Sequence, residues 1–165
     1  MSGSRVRITS VAVAALGLAG FSLPSQAVTI SSGANSYSFN WSYSSAAGLL
    51  TGSGTLSVSG FNSNVLAVGV TLNNTSGLAS NRLTAFGFGI DPNANGTILL
   101  DNLLDGGMWA ATMSSMPGLA GIEVCAWGGL GCGGGQNGGG ISGGSSDSFA
   151  LLLANGTYMM IFRQS

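Results

Sequence analysis

Apolar and polar residues alternate along much of the chain after Val28, with the period of two that is typical of β-strands. The clearest case is segment 37–43, in which Tyr, Phe and Trp alternate with Ser and Asn. This alternation puts four aromatic side chains on one face of a strand and small polar side chains on the other. We interpret the aromatic face as part of a core. A sugar-stacking platform is the alternative for the same residues.

Further strand-like segments follow at short intervals and are separated by turns rich in Gly, Asn and Ser. They are 55–59, 65–72, 83–90 and 149–153. Segment 65–72 is almost continuously apolar, which is typical of a strand covered on both faces. Helical patterns are nearly absent, and only 98–109 is ambiguous. The sequence therefore predicts an all-β fold, an antiparallel β-sandwich or jelly roll.

Several segments between these strands are predicted to be turns or connectors. Residues 48–54 and 60–63 are rich in Gly and Ser, and 111–121 contains Pro117-Gly118, so we expect turns or irregular structure there. Asn155-Gly156 lies between two apolar runs, which is a strong signal for a β-hairpin near the C-terminus.

The first 27 residues have a different character from the rest. Arg5 and Arg7 precede an apolar run over 11–23, and small residues then lead to Ala27. This order is typical of a secretory signal peptide. The apolar run is shorter than the roughly 20 residues that a transmembrane helix needs. We therefore predict a signal peptide over 1–27, a single β-sandwich domain over 28–165, and a mature chain that is exported without a membrane span.

Charged residues are scarce: the chain has four Lys and Arg together, five Asp and Glu, and no His. A nucleic-acid-binding protein needs a basic surface to neutralise phosphates, and this composition excludes one. The absence of His also excludes a Ser-His-Asp or Cys-His centre. A pair of carboxylates could hydrolyse glycosides, but the acidic residues here form no recognisable motif. We predict that the protein is not an enzyme.

The two cysteines, Cys125 and Cys132, lie at the start of a tract that is dense in glycine. In an exported chain a single pair is expected to form a disulfide, and closing a loop of this length stabilises the fold by about 2.5 kcal/mol. Two thiols without His cannot make a zinc site, and the spacing differs from the C-x-x-C of redox centres. The sequence therefore predicts a disulfide-clamped, glycine-rich loop. Trp127 inside this loop and Trp41 in the aromatic row are the candidate ligand-binding residues.

A second candidate site is a calcium loop that begins at Asp91. Oxygen-bearing side chains stand at alternate positions, Asp91, Asn93 and Asn95, before Gly96, as in the first half of such loops. The twelfth position is Asn102 where a calcium loop has Glu, so Asp101 would have to complete a weak site. Asp105 is the alternative to Asp101 for completing the site. An Asx-type turn explains the same residues. No other cofactor is predicted.

Four short motifs carry a resemblance to a known family: EVCAWGG at 123–129, CGGG at 132–135, NGGG at 137–140 and DSF at 147–149. With RLTAFGFGIDP at 82–92, they make the region 83–153 resemble the cistern family of PEP-CTERM proteins of Gram-negative bacteria. The resemblance implies a surface or secreted protein without established enzymatic activity, sorted by an exosortase and associated with exopolysaccharide and biofilm. The family's Pro-Glu-Pro motif, apolar span and basic tail do not follow residues 158–165. We therefore expect a truncated, frameshifted or unanchored form, and we do not predict exosortase sorting for this chain.

These observations together predict a non-enzymatic, secreted or cell-surface protein of the bacterial envelope or extracellular matrix. The alternative is a carbohydrate-binding β-sandwich, with or without calcium. The expected partners are extracellular polysaccharide or other envelope proteins.

Overall fold

The regular structure in the described part of the chain consists of β-strands. A computed structural model describes residues 6–15, 28–30, 36–45, 48–61, 65–91, 96–100, 107–113, 122–135 and 138–154. Its strands are β1 (Val6–Ala15), β2 (Val28–Ile30), β3 (Ser36–Ser45), β4 (Gly48–Phe61), β5 (Val65–Asn74), β6 (Leu83–Asp91), β7 (Gly96–Leu100), β8 (Ala110–Met113), β9 (Val124–Trp127) and β10 (Ser145–Ala154). These described ranges contain no helix that is long and apolar enough to cross a membrane. The predicted all-β class is confirmed.

The strands form two five-stranded antiparallel sheets. Sheet I has the order β2-β1-β6-β9-β8, and sheet II has the order β3-β4-β5-β10-β7. Apolar side chains from both sheets meet in one core, and the ring of Phe39 in β3 stacks on that of Phe86 in β6 with centroids 5.7 Å apart. Burial of such side chains is the main source of folding free energy. The predicted antiparallel sandwich is confirmed.

Segment 48–54, predicted to be turn-rich, is instead the first half of β4. In the register of β3 with β4, Gly52 lies opposite Trp41 and Gly54 lies opposite Phe39. A Cβ atom at either glycine would collide with the aromatic ring of its partner. The turn prediction is wrong because these glycines make room for aromatic rings within a strand.

Other boundaries also differ from the predictions. Strand β4 continues to Phe61, past the start of the turn predicted at residue 60, and β8 occupies the start of the connector predicted over 111–121. The outward side chains of β5 are half-buried, so this strand is not covered on both faces. The predicted hairpin turn at 155–156 and the run that follows it lie outside the described residues.

Residues 6–15, which belong to the predicted signal peptide, form β1. This strand pairs with β6 from Arg7 opposite Asp91 to Ala15 opposite Leu83. Removal of residues 1–27 would therefore take β1 out of sheet I and leave one edge of β6 without this partner. Cleavage of the leader remains a prediction.

Candidate functional site: the disulfide-clamped glycine loop

The disulfide lies on the outer side of sheet I. Cys125 and Cys132 are bonded, with their Cα atoms 6.0 Å apart, which confirms the predicted pair. Because the β9 residues on either side of Cys125 face the main core, its own side chain points away from that core. There it forms a small apolar cluster with Ala85 and Ile122, against which Trp127 and Cys132 pack. The bond thus fastens the loop after β9 to the outer face of this sheet.

The glycine tract packs closely on the start of β6. The backbone N–H of Gly128 donates to the carbonyl of Thr84 at 3.0 Å. Gly140 has a φ of +92°, and a Cβ atom there would collide with the Leu83 carbonyl. The Arg82 guanidinium donates to the Gly140 carbonyl at 3.0 Å. The tract is thus closely packed at Gly128 and Gly140, and it leads into β10 rather than into the helix that follows a P-loop.

The acidic side chains near the loop also hydrogen-bond to backbone. The Glu123 carboxylate accepts from the N–H of Ile90 at 2.9 Å. Asp147 is buried, and its carboxylate accepts from the N–H of Met108 at 2.6 Å. Charge-assisted bonds of this kind fix backbone segments strongly. These acids therefore hold segments in place, and sequence reasoning missed this because their partners are distant in the chain.

Asn74 is a further buried polar residue that the sequence did not single out. Its side-chain amide donates to the carbonyls of Asn81 at 2.7 Å and Ile141 at 2.8 Å, and its oxygen accepts from the N–H of Ser76 at 3.1 Å. Both ends of the amide are thus satisfied, as a buried amide requires. Asn74 joins β5 to the 75–82 turn and to the glycine tract. Its position within an Asn-rich turn sequence gave no signal for this role.

Trp41, the first candidate ligand-binding residue, belongs to the core. It is only 8% exposed, and Tyr37 and Phe39 from the same row also pack against the core. Trp41 lines a shallow depression of only about 10 Å³, together with Leu50 and Arg82 among others. Stacking of a sugar needs an accessible ring face, which Trp41 does not offer here. The interpretation of the aromatic row as a core face is confirmed for Tyr37, Phe39 and Trp41.

Trp127, the second candidate, is half-buried against the disulfide cluster. Two neighbouring apolar residues are more accessible: Trp109 is 43% exposed, and Leu130, within the clamped loop, is 70% exposed. The N–H of Trp109 donates to the carbonyl of Trp127 at 3.0 Å, so the two indoles come from adjacent backbone. A ligand contact at Trp127 remains a prediction.

The predicted calcium ligands fall largely outside the described part of the chain. Asp91 is the last residue of β6, but its side chain and residues Asn93, Asn95 and Asp101 are not described. Among the side chains that are described, no group of three or more His, Cys, Asp and Glu comes together. The calcium site remains a prediction.

Sequence reasoning also did not anticipate how the outward Ser, Thr and Asn residues of sheet II line up across its strands, because that arrangement depends on strand register. No protein-family model, curated protein or solved structure matches the chain, so membership of the cistern family remains a prediction from the sequence motifs.

Proposed function

We propose that this chain is a non-enzymatic protein of the cistern PEP-CTERM type that is exported to the bacterial envelope or extracellular matrix. The observation that carries the proposal is the disulfide between Cys125 and Cys132, which uses both cysteines of the chain. Disulfides persist in oxidising compartments and are rare in the cytosol. The signal-peptide pattern around Arg5, Arg7 and the apolar run 11–23 supports the same destination.

A structural rather than catalytic role is supported by the residue types available. The chain has no His, and the described acids Glu123 and Asp147 hydrogen-bond to backbone N–H groups. General acid–base catalysis needs a titratable group within reach of a substrate. The role we propose for these acids is to stabilise the fold.

Expression of the full chain in a Gram-negative bacterium tests the proposal. We expect mass spectrometry of the periplasm or medium to detect a chain that begins near Val28 and has no reactive thiol until it is reduced. A control with Arg5→Glu and Arg7→Glu should remain in the cytosol at full length, because these substitutions remove the basic flank of the leader. A full-length wild-type chain in the cytosol with both thiols free would contradict the proposal.

Carbohydrate binding is a second candidate function, and a different observation favours it. The outer face of sheet II carries aligned hydroxyl and amide side chains without a charge among them. Uncharged groups that both donate and accept hydrogen bonds suit a neutral glycan.

A further inference from the structure

The outer face of sheet II carries a regular array of hydroxyl and amide side chains. The registers of three neighbouring strand pairs coincide, so the outward residues of β3, β4, β5 and β10 fall into rows that cross the sheet. One row is Ser38, Thr55, Thr71 and Ser148, and the next is Asn40, Ser53, Asn73 and Ser146. We call these eight residues the polar face.

The polar face is open to solvent. All eight side chains are exposed or half-buried, whereas their neighbours in the strands, such as Leu56, Val70 and Phe149, are buried in the core. Strands in a sheet lie about 4.8 Å apart, and alternate residues along a strand lie about 6.8 Å apart. The array is therefore about 14 Å wide across its four strands. It is extended along the strands by Ser36 opposite Ser57 and by Ser42 opposite Thr51.

Hydrogen bonds between neighbours hold these side chains in position. The hydroxyls of Thr71 and Ser148 lie 3.0 Å apart, and the Asn73 amide donates to the Ser53 hydroxyl at 3.4 Å. A hydroxyl can donate one bond and accept two, so each keeps further hydrogen-bonding capacity after such a contact. Groups that are already ordered lose less conformational entropy when they bind a ligand. The polar face is thus a preorganised set of donors and acceptors.

We propose that the polar face binds an extended, uncharged polysaccharide through hydrogen bonds rather than through stacking on aromatic rings. None of its eight residues is charged, so it offers an anionic polymer no opposite charge. A polysaccharide presents hydroxyl groups at every repeating unit, which suits donors and acceptors that repeat across the sheet. This inference rests on the proposed export, which brings the face into contact with extracellular glycans.

The geometry favours a flexible polymer over two other occupants. Each strand of a sheet is rotated by about 20–25° relative to its neighbour. Across the four strands of the polar face the surface therefore twists by roughly 60–75° in total. A rigid crystal surface such as ice would match only part of such an array, whereas a flexible chain can follow it. Two copies of the polar face in contact would bury hydroxyls with little apolar area to stabilise the contact.

The test compares two variants that each lose two serine hydroxyls and one threonine hydroxyl. The row variant is Ser38→Ala, Thr55→Val and Ser148→Ala. The control variant is Ser80→Ala, Thr112→Val and Ser145→Ala, whose positions lie off the polar face. Thermal unfolding of both variants establishes that they fold. Binding of the exported, oxidised protein is measured by isothermal titration with hydroxyethyl cellulose and dextran as neutral polymers and with alginate as the anionic one.

We expect the wild type to bind a neutral polymer and not alginate. The row variant should bind at least about tenfold more weakly because it lacks three hydrogen-bonding groups, and the control should stay within about twofold of wild type. The affinity should change by less than about twofold when the salt concentration rises, since no charges are involved. If the row variant does not fold, chemical-shift changes in the wild type should be confined to β3, β4, β5 and β10.

Four outcomes would overturn the inference. They are no binding of either neutral polymer, unchanged binding by the row variant, preferential binding of alginate, and shift changes centred on Trp109 and Leu130. Two results without polymer binding would assign the face to another occupant. Loss of ice-recrystallisation inhibition in the row variant would assign it to ice, and loss of self-association would assign it to a second copy of the chain. Leader cleavage and thiol state are measured separately, so failure here is distinguishable from failure of the proposed export.

Discussion

Asn74 illustrates how single residues stabilise this sandwich. Its amide group donates to two carbonyls, of Asn81 and Ile141, in segments that the chain reaches 7 and 67 residues later. A buried carbonyl that loses its donor costs about 1–3 kcal/mol. One side chain therefore couples a turn, a strand end and the glycine tract.

Replacing Asn74 with Asp should lower the free energy of unfolding by about 2–5 kcal/mol. The Asn81 carbonyl loses its side-chain donor, the Ile141 carbonyl keeps only the N–H of Leu83, and a buried carboxylate oxygen would face both carbonyls. The matched control is Asn73→Asp on the outward side of β5, for which we expect a loss below about 1 kcal/mol. Urea unfolding of the two variants measures the difference. Equal losses would mean that the bonds of Asn74 do not matter to stability.

Two glycines of the tract allow the effect of backbone strain on stability to be distinguished from the effect of crowding. Gly138 and Gly140 have similar φ values, +89° and +92°. Their surroundings differ: a Cβ atom would meet nothing within 4 Å at Gly138, whereas at Gly140 it would collide with the Leu83 carbonyl. Both Ala variants should incur backbone strain of about 1–3 kcal/mol. We expect Gly140→Ala to be less stable than Gly138→Ala by at least about 1 kcal/mol in thermal unfolding, because it is also overpacked. Similar stability of the two variants would contradict the close packing of Gly140 against Leu83.

At the scale of elements, β6 depends on its neighbours in sheet I. Its side chains from Leu83 to Ile90 are buried, and it pairs with β1 on one edge and β9 on the other. Export with cleavage after Ala27 would remove only the β1 side. The mature chain would then have an open edge on an otherwise buried strand.

Hydrogen exchange measures this difference. In a chain that begins at Val28, we expect the β6 amides that face β1 to exchange at least about tenfold faster than in the full chain. The amides of β6 that face β9, and those of β5 in sheet II, serve as internal controls and should keep their protection. Unchanged exchange along the whole of β6 would show that β1 does not protect this edge in solution.

At the scale of the whole molecule, the disulfide stabilises the sandwich by restricting the unfolded chain. Cys132 lies seven positions after Cys125, and closing such a loop contributes about 2.5 kcal/mol. A reductant should therefore lower the urea midpoint of the wild type by an amount equivalent to about 2.5 kcal/mol. The variant with Cys125→Ala and Cys132→Ala is the control, and reductant should leave its midpoint unchanged. A wild-type midpoint that does not respond to full reduction would contradict this role.

Prediction from the sequence succeeded where the signal was local. Alternation of apolar and polar residues identified the aromatic row of β3 and the inward residues of β5, because side-chain direction in a strand follows from position alone. The disulfide followed from a single cysteine pair. Prediction failed at Gly52, since a glycine that accommodates the ring of Trp41 looks the same in sequence as a glycine in a turn.

The same distinction between local and long-range information applies to the fold and to the candidate sites. Residue types and patterns by themselves determined the all-β class, the inward and outward faces of the long strands, the oxidised pair and the lack of histidine chemistry. Only the tertiary structure decided which strands are neighbours, and with that the burial of Trp41, the bonds of Asn74 and Asp147, and the alignment of the polar face. The physical reason is that strand pairing joins residues far apart in the chain. Register is selected by the packing of whole sheets against one another, which no single segment encodes.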